Sequence, residues 1–358
     1  MERKIVKIDY TNKDIFVGID VHSTSWYVTI IVEDYIKSQT FTANPTKLAD
    51  YLVREYPGGT YYAGYEAGCF GFHIKEKLDK LNVSTIVINP ADIPTSDKET
   101  RNKTDLRDSQ KIALCLKSGL VKGIYAPDRA SLEIRMLSRR RSDISSKTTR
   151  VKNQIKAVLK FYGVVYPQEF EESSKHWSRN FILWLSKIEF ITIEGKIAMD
   201  SFISELEFLR TEKLKVLKYL RELTKSEKFK EQSEVLISIP GIGAVSTVTV
   251  LTELIDVERF ETRDKYLSFI GLTPNEHSSG EKRRIGSLTK RCNRSLRTVF
   301  IEAAWVAVKR DPALSMYYTE VYKKIGKQKA IIKVARKLAT RVRYLLLKMQ
   351  KYEYGYVA

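Results

Sequence analysis

The sequence predicts a mixed α/β N-terminal domain followed by two mainly helical regions. Three observations support this fold class. Short β-branched runs alternate with helix-like segments in the first third of the chain, and heptad-spaced apolar residues then indicate long helices. A last stretch combines further helical segments with a glycine-rich turn. We therefore predict three domains in the 358-residue chain, at 1–128, 129–225 and 226–358.

The first domain begins with a predicted β-hairpin. DIFVGID and WYVTIIVE are apolar, β-branched runs, and His22–Ser25 between them is a predicted tight turn. A third strand is expected to begin at Phe41–Ala43. The later predicted elements are a helix at Lys47–Glu55, a strand at Thr60–Tyr65, a helix at Phe70–Leu81, a strand at Ser84–Ile88 and a helix at Lys103–Ser118. Helices alternating with strands after a hairpin indicate a partly parallel central sheet.

The middle region is predicted to contain long helices with one packing seam each. Apolar residues repeat every seven positions in two series: Leu137, Ile144, Val151 and Val158, then Phe202, Leu209, Val216 and Leu223. Such spacing suggests a long coiled coil, either antiparallel within the chain or intermolecular, but Arg141 and Lys213 interrupt the seams, which favours plain helices over a coiled coil.

The third domain is predicted to be mainly helical, with helices at Val245–Leu254, Leu296–Lys309 and Lys329–Met349. The segment Pro240–Gly243 resembles a helix–hairpin–helix turn, in which Gly241 and Gly243 let backbone N–H groups approach a phosphate. A plain glycine turn is the alternative. A loop is expected at about 272–290.

Four acidic residues suggest a metal site. Asp20 and Glu66 end apolar strands, where an unpaired carboxylate is unfavourable. Asp105 and Asp108 are three residues apart on one predicted helix and can face the same point. Two Mg²⁺ or Mn²⁺ ions would relieve the repulsion of four converging carboxylates. Alternatively, Asp105 and Asp108 are only first-turn acids favoured by the helix dipole, and Asp20 caps a turn.

The charge of the chain indicates a polyanionic partner. Lys and Arg number 62 against 43 Asp and Glu, a formal net charge of +19. Between residues 129 and 160 there are ten basic residues and two acids, and between 321 and 350 there is no acid. Such blocks favour phosphate binding over a merely soluble surface. No apolar run approaches the ~20 residues of a membrane span, and we expect a cytoplasmic, nucleoid-associated protein.

A polar segment near residue 280 could hold a nucleophile. Ser278 and Ser279 precede a glycine, and Arg283 and Arg284 follow it. A serine that attacks phosphorus needs neighbouring positive charge, which these residues could supply. From the residues alone, an ordinary polar loop is the better explanation of this segment.

These motifs together resemble one family. GIDVH, the YEAG glutamate, KTDLRDS, IPGIG, GLTP, SSGEKRRIG and NRSLR followed by EAAW occur in the same order in the DEDD-type insertion-sequence transposases, the bridge-RNA-guided recombinases. The resemblance spans roughly residues 15–310. It implies an RNase H-like (RuvC-like) N-terminal domain in which Asp20, Glu66, Asp105 and Asp108 bind metal, and a C-terminal transposase domain.

The resemblance also implies a catalytic serine and several partners. The serine corresponds to Ser279, with Ser278 as the close alternative, and it is expected to attack a DNA phosphate. The implied partners are donor and target DNA, a structured guide RNA, and further copies of the chain in a dimer or tetramer. The predicted nucleic-acid-binding residues are Gly241, Gly243, Arg283, Arg284, Lys290, Arg294 and Arg297.

Two other functions remain open from the sequence. A structure-specific RuvC-like endonuclease would need the acidic tetrad and the basic surface but no covalent serine intermediate. A nucleic-acid-binding protein with a decayed nuclease fold would need neither metal nor serine. A covalent phosphoserine–DNA species separates the recombinase from the first rival, and metal binding separates it from the second.

Overall fold

The computed structural model describes residues 9–94, 104–279 and 282–355, with the backbone alone at 276–279 and 282–285. The chain divides into two compact units, the first ending at Pro127 and the second beginning at Asp128. Both predicted helical regions therefore lie in the second unit. Among the described helices, none combines the length and apolar character that a membrane span requires.

A five-stranded sheet forms the centre of the first unit. Its strands are β1 (Asp14–Val21), β2 (Ser25–Val32), β3 (Tyr35–Thr42), β4 (Thr60–Glu66) and β5 (Val83–Ile88). The strand order is β3-β2-β1-β4-β5. β1 to β3 are antiparallel neighbours, whereas β4 is parallel to both β1 and β5. This mixed sheet is compatible with an RNase H-like domain.

Helices cover both faces of the sheet. They are α1 (Pro45–Glu55), α2 (His73–Lys80) and α3 (Asp105–Lys117). Leu48 of α1 and Leu78 of α2 are buried in one core with Ile15 and Ile19 of β1. α3 packs against β1, β2 and β4 on the other face, which receives the alternate residues of these strands.

The third strand differs from its prediction. β3 runs from Tyr35 to Thr42 and ends near the point where the sequence placed its beginning, at Phe41–Ala43. It is an edge strand, and none of its residues is buried. Without a buried face it has no apolar alternation, which is the pattern that reveals a strand in a sequence.

The second unit is mainly helical. Its helices are α4 (Arg129–Phe161), α5 (Arg179–Ser186), α6 (Ile193–Leu223), α7 (Lys230–Ile237), α8 (Ala244–Leu254), α9 (Arg263–Ile270), α10 (Arg294–Arg310), α11 (Pro312–Ile325) and α12 (Lys327–Lys348). Short 3₁₀ turns occur at Gln168–Phe170 and Ser173–Lys175. α9 and α11 were not predicted from the sequence.

α4 and α6 pair along the predicted seams. Ile144 and Val151 of α4 are buried in one cluster with Leu209 and Val216 of α6. The N-terminal part of α4, from Ala130 to Leu137, lines a groove with the C-terminal part of α6, from Tyr219 to Leu223. The two helices therefore run antiparallel within one chain.

The last part of the second unit packs around α10 and α12. Ala303 and Ala307 of α10 share a core with Val334 and Leu338 of α12. The loop predicted at 272–290 is wrong, because β6 (Pro274–Ser279) and β7 (Lys282–Leu288) form an antiparallel pair there. Their sequences, PNEHSS and KRRIGSL, are too polar to show an apolar alternation.

Candidate functional site

Two glycines allow α3 to approach the sheet closely. Gly18 of β1 and Gly64 of β4 are partners in the parallel register. A Cβ atom on Gly18 would lie 2.1 Å from the carbonyl oxygen of Ser109, and one on Gly64 would lie 3.1 Å from a Leu116 methyl. A side chain at Gly18 would therefore collide with the backbone of α3.

The same register places two carboxylates beside the start of α3. Asp20 is two residues beyond Gly18, and Glu66 is two residues beyond Gly64. Alternate residues of a strand face the same side of a sheet. Asp20 and Glu66 therefore project on the α3 side, at the adjacent carboxyl ends of two parallel strands. This is the edge where ligands of α/β sheets commonly bind.

The first turn of α3 supplies two further carboxylates. Thr104 caps the helix, since its side chain accepts a hydrogen bond from the Arg107 amide. Asp105 is the first helical residue and Asp108 lies in the same turn. The helix dipole favours acids at this position, which lowers the cost of bringing them near other carboxylates.

Buried hydroxyl groups tie α3 to the sheet. The Thr29 and Ser109 hydroxyls are 2.9 Å apart, and both side chains are fully buried. The Thr29 hydroxyl is also 2.8 Å from that of Ser38 on β3. The Ser109 hydroxyl donates to the Leu106 carbonyl. These contacts fix the position of the helix that carries Asp105 and Asp108.

His22 joins the acidic cluster, and the sequence prediction missed it. Its Nε2 atom lies 3.3 Å from Oδ2 of Asp20 and 3.5 Å from Oδ2 of Asp105. Ligand atoms of these three residues lie within 4.8 Å of one another. His22 follows β1 directly, and its amide donates to the Ser25 carbonyl in the hairpin turn. The available signal was a histidine two residues after a strand-end aspartate.

The electrostatics of the cluster suit a cation. Burial raises the pKa of Asp20, and the nearby Asp105 and Asp108 carboxylates raise it further, while His22 opposes them. The surroundings of Asp20 therefore disfavour its charged form, and a bound cation would stabilise it. The carboxylate oxygens of the cluster are the donors that Mg²⁺ and Mn²⁺ prefer, whereas an imidazole nitrogen is more typical of sites for Zn²⁺, Fe²⁺ or Ni²⁺.

The four predicted carboxylates are brought together to different degrees. The carboxylates of Asp20 and Asp105 both lie within 3.5 Å of the Nε2 atom of His22. Asp108 is close enough to affect the pKa of Asp20. Glu66 is placed by the sheet register on the neighbouring strand end and forms contacts of its own.

The predicted serine lies on the β6–β7 hairpin. In the backbone register Ser278 pairs with Arg283, and Ser279 pairs with Lys282. The side chains of Ser278, Ser279, Arg283 and Arg284 lie outside the described residues.

The glycine turn packs against another helix. Gly241 has φ of +89°, and a Cβ atom there would lie 2.6 Å from the Ala303 carbonyl oxygen of α10. Gly241 is thus required for packing within the protein. Gly243, by contrast, precedes α8 and has open space around its Cα. Gly243 is exposed, and both glycines line one surface pocket with Pro240 and Arg310.

The predicted basic contacts fall into two groups. Arg297 donates to the Thr289 carbonyl, and its guanidinium lies against Gly271, so it holds the segment before α10 in place. Lys290 and Arg294 are exposed. Arg294 is the first residue of α10, which the Asn293 side chain caps by accepting from the Leu296 amide.

A buried glutamate links the helices around Asn293. Glu253 of α8 accepts two hydrogen bonds from Arg139 of α4, at 2.7 and 2.9 Å, and one from Asn293, at 2.7 Å. Burial opposes its charged form, but the hydrogen bonds from Arg139 and Asn293 prevail and lower the pKa of Glu253. Sequence reasoning missed this residue, because a glutamate in an apolar helix gives no sign of its partners.

Comparison with known families agrees with the motifs. Residues 17–164 match a transposase model of the IS110 DEDD type, and residues 233–319 match the model described as Transposase IS116/IS110/IS902 family. The first model contains all four predicted carboxylates, and the second contains the β6–β7 hairpin and the start of α10.

Curated relatives are transposases of low identity. The chain is 26% identical over 244 residues to a putative transposase, y4qE, of Sinorhizobium fredii, a match that covers 68% of the chain and 58% of the relative. It is 24% identical to the transposase for insertion sequence element IS1111A of Coxiella burnetii, covering 77% of the chain and 74% of the relative. The transposase for IS1533 of Leptospira borgpetersenii is 23% identical, covering 68% and 70%.

Proposed function

We propose that this chain is a transposase of the IS110 family, as its two domain matches and its curated relatives support, and that it cuts and joins DNA strands by metal-dependent phosphoryl transfer. The observation that carries the proposal is the convergence of Asp20, His22 and Asp105 at the end of β1. The negative charge of Asp108 acts on Asp20, and Glu66 ends the adjacent parallel strand.

The chain's own residues would hold and orient the reacting groups. Asp20, Glu66, Asp105 and Asp108 would bind the cation, and His22 either binds it or orients Asp20 and Asp105 by hydrogen bonding. Bound Mg²⁺ or Mn²⁺, most simply two ions, would neutralise the phosphate and activate the attacking oxygen. The hydroxyl contacts of Ser109 would keep the two acids of α3 at a fixed distance from Asp20.

The finer parts of the proposal come from the family resemblance. Ser279, or alternatively Ser278, would attack a DNA phosphate and form an Oγ–P bond, while the bond from phosphorus to one deoxyribose oxygen breaks and that strand end leaves as a hydroxyl with the proton of the serine. Arg283 and Arg284 would contact the phosphate. A structured guide RNA would select donor and target DNA, and several copies of the chain would assemble on them. α4 and α6 also carry exposed apolar side chains, among them Met136, Phe208 and Leu214, which would be available for such assembly.

Matched substitutions on one strand test the metal centre. Asp20→Asn should abolish strand cleavage and weaken Mn²⁺ binding measured by calorimetry. Asp14→Asn removes the same charge from the opposite end of β1 and should change neither. Equal Mn²⁺ affinity in both variants would show that Asp20 is not a ligand.

The serine is tested by trapping a covalent adduct. Ser279→Ala should retain DNA binding and Mn²⁺ binding but form no protein–DNA adduct under denaturing gel electrophoresis, and Ser278→Ala provides the matched comparison. A Ser279→Ala protein that still cuts DNA, together with a wild-type protein that forms no adduct, would favour the structure-specific endonuclease over the recombinase.

A further inference from the structure

The second unit contains a polar pocket apart from the metal centre, and we propose that it binds one backbone phosphate of a nucleic-acid strand. The pocket has a volume of about 430 Å³ and lies among α4, α8 and α10. The residues that matter for binding are Arg141, Arg294, Ser246, Ser295, Thr298 and Glu302. The inference rests on the proposed function, because it names the chemical group of DNA or RNA that this surface holds.

Arg141 is the cation of the pocket wall. It is the last of three consecutive arginines on α4. Arg139 pairs with Glu253, and Arg140 pairs with Asp143 at 2.5 Å. The Nε atom of Arg141 is buried and, within the described part of the chain, has no hydrogen-bond partner. The Arg141 side chain lines the pocket, where its guanidinium charge would attract a phosphate and its terminal nitrogens would donate to the phosphate oxygens.

Two helices begin at the pocket. α8 starts at Ala244 after Gly243, without a side-chain cap, and α10 starts at Arg294. The first N–H groups of a helix have no acceptor within the helix, and the helix dipole places positive charge there. The hydroxyls of Ser246 and Ser295 lie in these first turns and line the pocket. Amides, hydroxyls and guanidinium groups together form the donor set that phosphate requires.

The walls of the pocket are held in place before any ligand arrives. Glu253 of α8 binds Arg139 of α4 and Asn293, the residue that caps α10. One buried carboxylate therefore connects all three helices that line the pocket. A site that is already formed loses little conformational entropy on binding.

The charge of the surroundings favours a strand over a small anion. From Asp128 to Ala358 there are 45 Lys and Arg against 27 Asp and Glu. Within the pocket, two arginines face one acid, Glu302. A surface of this charge attracts a polyanion at long range, and the pocket then fixes the register of one phosphate.

The first test compares two arginines of α4. Arg141→Gln should weaken binding to a labelled DNA duplex or single-stranded RNA about tenfold in fluorescence anisotropy, since a charged hydrogen bond is lost. The logarithm of the binding constant should also depend less steeply on the logarithm of the salt concentration, by the amount that one phosphate contact contributes. Arg150→Gln removes an exposed arginine outside the pocket and should change both quantities little. The strand whose affinity falls, DNA or RNA, identifies the source of the phosphate.

The second test changes charge inside and outside the pocket. Ser246→Asp places a negative charge where the phosphate would sit and should weaken binding at least as much as Arg141→Gln. Ser201→Asp on the exposed side of α6 is the matched control. Glu302→Gln should act in the opposite sense and tighten binding severalfold. Circular dichroism of each variant confirms that the helices are intact.

The outcomes separate this inference from the proposed function. Equal weakening by Arg141→Gln and Arg150→Gln, or wild-type affinity in a folded Ser246→Asp protein, would show that the pocket holds no phosphate. In either case strand cleavage dependent on Asp20 would still support the transposase. A wild-type chain that binds neither DNA nor RNA would contradict both.

Discussion

Replacing Gly18 by alanine should disturb the proposed metal site without changing any of the residues that would bind the metal. The added Cβ atom would lie 2.1 Å from the Ser109 carbonyl oxygen and 2.4 Å from the Ala113 nitrogen. Non-bonded atoms normally meet at about 3.5 Å, so α3 would have to move by roughly 1 Å or more. Both obstructing atoms belong to the helix backbone, which cannot rotate away as a side chain would.

The movement has two measurable consequences. Forced packing of this kind typically costs about 1–3 kcal/mol of stability, and thermal unfolding should occur several degrees earlier. Functional groups need to be held within about 0.5 Å, so displacing Asp105 and Asp108 relative to Asp20 should lower Mn²⁺ affinity about 10- to 100-fold. Calorimetric titration with Mn²⁺ measures the affinity, and thermal unfolding without metal measures the stability.

Gly68→Ala is the matched control. A Cβ atom on Gly68 would meet nothing within 4 Å, and neither Gly18 nor Gly68 has a positive φ. The two substitutions therefore change backbone freedom alike and differ in steric contact. A Gly18→Ala protein with the stability and Mn²⁺ affinity of Gly68→Ala would refute the proposed role of close packing between α3 and β1.

Three further predictions concern buried polar groups. Thr29→Val preserves shape but removes the hydroxyl that Ser109 contacts, and we expect a loss of about 1–3 kcal/mol in chemical denaturation and weaker Mn²⁺ binding. Glu253→Gln should lower the free energy of unfolding by about 2 kcal/mol, less than for a fully buried ion pair because the Arg139 side chain is 59% exposed. The pKa of Glu253 in the folded protein lies below its ordinary value of 4.5. The carboxylate should therefore contribute its full stabilisation above pH 4.5 and lose it as the pH falls through the lowered pKa. The free energy of unfolding of the Glu253→Gln variant should accordingly depend less on pH in this acidic range than that of the wild type. Tyr352→Phe removes the phenol that donates to the buried Asp311 carboxylate and should cost about 1.5–3 kcal/mol in thermal or chemical unfolding, with no effect on Mn²⁺ binding.

The sequence predicted the elements whose apolar pattern matches their burial. β1 and β2 are continuous β-branched runs because most of their residues are buried, and the structure places both within a residue of the prediction. β3 has no buried residue, and α11 buries Leu314 alone, so neither shows a periodic apolar face. For such elements the stabilising contacts are edge hydrogen bonds and partial packing, which leave little trace in residue type.

In the candidate site, too, some residues could be predicted from the sequence and others could not. An acid at the end of an apolar strand is conspicuous in sequence, and Asp20 and Glu66 were predicted as site residues for that reason. The roles of His22 and Gly18 depend on distances to α3, which begins more than eighty residues later. Contacts between segments so far apart follow from the tertiary fold and cannot be obtained from local spacing.

The net positive charge is distributed unequally between the two units, and this determines which unit would attract DNA. Residues 1–127 contain 17 Lys and Arg against 16 Asp and Glu, so nearly all of the net charge of +19 belongs to the second unit. A nearly neutral unit with several converging carboxylates gains little from long-range attraction to a polyanion and repels phosphate at close range. Cation binding removes that local repulsion, whereas the basic helices of the second unit supply the attraction. The salt dependence of DNA binding should therefore respond to substitutions such as Lys333→Gln on α12 and remain unchanged when the metal is removed by a chelator.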